Sequence, residues 1–151
     1  MPQLAYVYVP SVEALHVNNV FTVLAQYGFR PARIGKNDPP RRKVESVNAA
    51  VALILTNPTQ ARTNWTFVAD PASHIDLSFE LRSDPRWSFS TVSLTFPDHI
   101  SVSELCSALF QQCGAFACVG GVVGAGKDQP WAIKILSDTC PVGLRATLAG
   151  A

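Results

Sequence analysis

From Ile75 to Ile135 the chain reads as strand, hairpin, strand, capped helix, strand, tight turn and strand, with hardly a residue between elements. Ile75, Leu77, Phe79 and Leu81 alternate with Asp76, Ser78, Glu80 and Arg82, the period-two pattern of a half-buried strand. Ser83-Asp84-Pro85-Arg86 turns the chain. The returning strand carries Trp87 and Phe89 in one phase, then Val92, Leu94 and Phe96 in the other. A strand changes phase only by accommodating an extra residue, so a β-bulge or sharp twist is expected near Ser90–Thr91. Ser101 and Glu104 form a capping box, and Gly114 closes a helix striped by Val102, Leu105, Cys106, Leu109, Phe110 and Cys113. Residues 115–123 and 131–136 then read as two further strands.

Upstream, Leu4–Val9 is a strand that Pro10 ends. Ser11 is a candidate N-cap and Gly28 a candidate terminator of a helix with Val17, Val20, Phe21, Leu24 and Tyr27 on one side. Asn18, Thr22 and Gln26 are expected outward. Val44–Thr56 fits a helix, or a short strand over Val51–Leu55. Residues 65–69 fit a strand. The expected architecture is α+β: a mostly antiparallel sheet with helices packed on one face, built from an N-terminal β-α unit followed by β-β-α-β-β. At 151 residues a single domain over 1–151 is expected, with a basic, proline-rich loop at 30–43.

That loop is the strongest functional candidate. It holds Pro31, Pro39, Pro40 and Gly35 together with Arg30, Arg33, Lys36, Arg41, Arg42 and Lys43, six of the twelve Lys and Arg residues. Guanidinium groups present paired donors to carboxylates or phosphates. Single-strand nucleic-acid binding would want aromatics interleaved with the charges, and only Phe29 is near, so an acidic-surfaced protein is the expected partner rather than a nucleic acid. Net charge is only +1, which supplies no global pull toward nucleic acid or membrane. The charge is unevenly divided: residues 1–69 carry seven Lys/Arg against three Asp/Glu, residues 70–151 five against eight. This asymmetry allows a self-complementary homodimer. The N-terminal residues lack the basic and apolar regions of a signal peptide, and no apolar run is long enough to span a bilayer, so a cytoplasmic location is expected.

Other motifs point to chemistry less well. Gly121 to Asp128 approaches a phosphate-binding loop, but Asp128 stands where a Mg²⁺-ligating hydroxyl belongs, and a strand follows where a helix is needed. Cys106 and Cys113 are seven residues apart, about 10.5 Å along a helix, too far to share one zinc. The cysteines, with Cys118 and Cys140, read as small buried apolar residues, and no metal or cofactor is expected. If residues 123 and 131 flank the last turn, Cys113 and Cys140 come close, as thiols in a reducing compartment. Asp70, Ser73, His74 and Asp76, with His99, are the one grouping that suits a small enzyme or ligand-binding cleft. Turn chemistry accounts for the same residues.

The segments HIDLSFELRSDPRWSFSTVSLTFPDH, SVSELCSALFQQCG and AFACVGG resemble small cytoplasmic immunity proteins encoded beside bacterial toxins of the polymorphic or type VI class. The resemblance covers about a third of the chain. It implies a protein that is not an enzyme, binds one cognate toxin, and blocks its active site or substrate entry. It assigns no individual residue. Immunity proteins that mimic nucleic acid are usually acidic and this chain is not, which leaves the toxin class open.

Overall fold

The computed structural model describes residues 3–10, 14–35, 42–44, 46, 48, 62–69, 73–80, 90–122 and 132–149. They form strands β1 (Gln3–Val9), β2 (Arg30–Gly35), β3 (Arg42–Lys43), β4 (Arg62–Ala69), β5 (Ser73–Glu80), β6 (Ser90–Phe96), β7 (Ala117–Val122) and β8 (Ile133–Leu136). Three helices accompany them: α1 (Ala14–Gln26), α2 (Val102–Gln112) and α3 (Val142–Ala149). The strands make one eight-stranded sheet in the order β3-β2-β4-β5-β6-β1-β7-β8, every neighbouring pair antiparallel. The architecture is the α+β class that the alternation and helical periods require.

Period-two burial separates the faces. Ala5, Val7 and Val9 of β1, Phe67 and Ala69 of β4, Ile75 and Leu77 of β5, and Val92, Leu94 and Phe96 of β6 all point to one side. There they meet α1 through Val20, Phe21, Val23 and Leu24, and α2 through Leu105, Cys106, Leu109 and Cys113. Phe21 packs edge-on against Phe67, with ring centroids 5.3 Å apart. Asn18, Thr22 and Gln26 face outward as the helical period demands. Gly28 and Gly114 terminate the two helices at φ +85° and +65°, a left-handed geometry that glycine adopts without strain. Ser101 caps α2, its hydroxyl accepting from the Glu104 backbone N–H at 3.3 Å.

Among the described residues, the opposite face is covered at one end only. Leu144 and Leu148, one helical turn apart on α3, bury against Phe116, Ala117 and Val119, with Tyr6, Tyr8 and Leu136 packed around them. The Arg145 guanidinium donates to the Ser137 carbonyl at 2.6 Å and ties α3 to the end of β8. Pro141 and the Leu144–Leu148 spacing are the sequence signs of this helix.

The expected loop at 30–43 is corrected: Arg30–Gly35 and Arg42–Lys43 are strands. Pro31 is tolerated near the end of the β2–β3 pairing, which among the described residues reaches only as far as the Val44 N–H donating to the Ala32 carbonyl at 3.0 Å. Lys36 and Arg41 lie outside the described residues, as does most of 44–56. The bulge expected near Ser90–Thr91 is absent from Ser90 onward among the described residues, where β6 pairs with β1 and β5 in unbroken register; Trp87 and Phe89, which carry the other phase, lie outside the described residues.

Candidate protein-interaction face

Arg30 and Arg33 are an odd number of residues apart, which in a regular strand puts their side chains on opposite faces. The β2–β4 ladder prevents this. Arg30 stands opposite Val68 and Pro31 opposite Phe67, but Arg33 stands opposite Thr66, so Ala32 is an extra residue in β2. Val68 and Thr66 share a face, and the bulge therefore places both arginines on it. Lys43 stands directly opposite Arg33 and joins them. Phe67, between Thr66 and Val68, is buried under α1, so the three cations occupy the face away from α1 and α2. All three are exposed.

The registers extend this face inward. Lys43, Arg33, Thr66, Asp76 and Thr95 follow one another across β3, β2, β4, β5 and β6. A parallel row runs Arg30, Val68, His74. Thr66, Val68, Thr91, Ser93 and Thr95 are partly exposed. Beyond β6 come Leu4, Tyr6 and Tyr8, opposite Thr95, Ser93 and Thr91, and there the cover of α3 begins. The face is thus a hydroxyl-rich sheet surface with a cationic border on one side and a helix on the other.

Of the six expected basic contacts, the structure brings Arg30, Arg33 and Lys43 together. Arg42 is in register with Ile34. The alternative cleft is laid out differently. His74 and Asp76, two apart on β5, approach to 3.7 Å (Nε2 to Oδ2), but their side chains are 64% and 51% exposed on an open strand face. His99 is exposed in the turn before α2. A relay of proton transfers needs its histidine held and shielded by its neighbours, and this pair is wet. The side chains of Asp70 and Ser73 lie outside the described residues.

The four cysteines are buried free thiols, as their place in the apolar stripes implies. Cys113 belongs to the core under α2 and Cys140 to the core under α3, on opposite sides of the sheet. The β7–β8 register, Ala117 with Leu136, would set Cys113 opposite Cys140 if the ladder ran on, but the pairing ends at Ala117 and Leu136 and the two thiols enter different cores. Instead Cys118 and Cys106 share a thiol–thiol hydrogen bond, and this bond together with burial holds Cys118 far above the ordinary thiol range. Burial pushes the Cys113 thiol up to about 12. Gly121 and Val122 finish β7, and the rest of the glycine-rich motif lies outside the described residues. Among the described residues no helix is long and apolar enough to cross a membrane.

Sequence reasoning identified the charges and missed their shared face. The missing signal was the bulge: Pro31 before an alternating Ala-Arg-Ile marks a strand that must break register, but only the partner's sequence position shows where.

No protein-family model matches the chain. No curated protein matches it in sequence. Among solved structures, a chain from the complex of the toxic C-terminal tip of CdiA from Pseudomonas aeruginosa with immune protein superposes over 92% of this chain and 99% of its own, at 13% identity and a TM-score of 0.43, a likeness too loose to carry an argument about binding.

Proposed function

We propose that this chain is a non-catalytic binding protein that neutralises a cognate bacterial toxin in the cytoplasm by covering its active site or substrate entry. The observation that carries the reading is the β2 bulge, which gathers Arg30, Arg33 and Lys43 on one open face. Clustered cations at an exposed strand edge suit an acidic protein surface. They steer its approach and fix its register more than they add raw affinity. Lys36, Arg41 and Arg42, their neighbours in sequence, are further candidate contacts for the same partner. The resemblance of residues 74–121 to immunity proteins supports the toxin as the partner's class.

The test is protection. The genes adjacent to this one are expressed singly in a bacterial host, alone and with this chain, and one of them should arrest growth. The chain should restore growth, and Arg30→Ser/Arg33→Ser/Lys43→Ser should restore it poorly at equal expression. Growth arrest unrelieved by the wild-type chain would overturn the reading.

A further inference from the structure

We propose that the partner seats an acidic helix across the open half of the second sheet face, over β2, β4, β5 and β6, alongside α3. The proposal rests on the toxin-binding reading and names the element that it binds. Three observations support it.

Among the described residues the sheet is unevenly clad. One face lies under α1 and α2, while on the other α3 covers β1, β7 and β8 through Leu144 and Leu148. The border lies at β1: Tyr6 and Tyr8 are partly buried against the α3 cluster, and the residues opposite them, Ser93 and Thr91, are partly exposed and outside that cluster. From β2 to β6 is three strand spacings, about 14 Å, room for one more helix of about 10 Å diameter. A partner helix there would complete the second layer.

Charge selects the occupant. Arg30, Arg33 and Lys43 border the open half on its outer side. The middle offers hydroxyls from Thr66, Ser93 and Thr95, and Asp76 lies 3.7 Å from His74. The matching helix therefore bears carboxylates toward β2 and β3, and small or polar side chains toward β6. A single-stranded nucleic acid would also answer the cations, but it needs aromatic platforms. The tyrosines on this face, Tyr6 and Tyr8, are packed against α3 instead.

The experiment uses the full chain, isotope-labelled, titrated with three probes: the purified toxin domain of whichever adjacent gene arrests growth in the protection test, poly-L-glutamate and poly-uridylate. With the toxin domain and with poly-L-glutamate, amide signals of β4, β5, β6, Arg30 and Arg33 should shift, and those of Asn18, Thr22 and Ser103 on the helix side should stay. Thr95→Trp, in mid-face and away from the cations, should weaken toxin binding tenfold or more at unchanged melting temperature. His74→Trp replaces it if Thr95→Trp melts early. If the serine triple variant loses affinity while both tryptophan variants bind like wild type, the toxin-binding reading stands and the seated helix is overturned. If the toxin domain does not bind wild type at all, the toxin reading falls, and shifts from poly-L-glutamate confined to this face would still support an acidic occupant. Larger shifts from poly-uridylate than from poly-L-glutamate would overturn a protein occupant.

Discussion

Gly120 on β7 lies beneath α2 at a distance that leaves no space for a methyl group. A Cβ built there would stand 2.7 Å from Val102 Cγ2 and 2.8 Å from Cys106 Sγ. Overpacking a close-packed interface typically costs about 1–3 kcal/mol, so Gly120→Ala should lower stability by that amount in urea unfolding; a neutral result would mean that α2 is free to lift. The neighbouring thiols give a pH signature. The folded Cys113 thiol ionises at about 12, against 9.0 for a free thiol. A raised folded pKa means that the stability contributed is complete below about pH 9 and is lost as pH rises toward 12. Thermal melts should therefore fall across that window, and Cys113→Ala should flatten the fall; identical pH profiles would contradict a buried, protonated Cys113. These thiols were legible in the sequence as members of an apolar stripe. The shared side of Arg30 and Arg33 was not, because a single extra residue inverts the face of all that follows it and leaves no compositional trace.

At the scale of elements, α2 depends on its cap and its stripe. Ser101→Ala removes the acceptor for the Glu104 N–H and should cost about 1 kcal/mol. Leu109→Ala, at a site with no solvent exposure, should cost about 2–5 kcal/mol. Chemical denaturation measures both, and a loss below about 1 kcal/mol for Leu109 would contradict its burial. This helix and the β5 and β6 strands could be read directly, since each carries one clean period and explicit caps. β2 could not. Its two arginines and Pro31 suit a loop as well as a strand, and the pairing that makes it a strand is with β4, about thirty residues away. α3 has only eight residues, too few to be stable alone; it forms because Leu144 and Leu148 find an apolar patch that folding assembles from β1, β7 and β8.

For the whole molecule, the consequential asymmetry among the described residues is between a face that lies under α1 and α2 and one that α3 covers at one end, with a cationic border at the other. Alternation along the strands announces two faces, but not how much of the second remains open, because that depends on where α3 docks. The account predicts that association is steered by Arg30, Arg33 and Lys43. Steering acts through charge and is screened over about 8 Å at physiological ionic strength. Surface substitutions rarely change stability by more than about 0.5 kcal/mol, so the serine triple variant should melt like wild type. The most direct measurement is the association rate with the toxin domain identified by the protection test, for wild type and the triple variant, as salt is raised from low to physiological concentration. Wild type should associate faster at low salt and slow steeply as salt rises, while the triple variant should start slower and respond little. Equal rates with equal salt dependence would contradict the basic face as the site of contact.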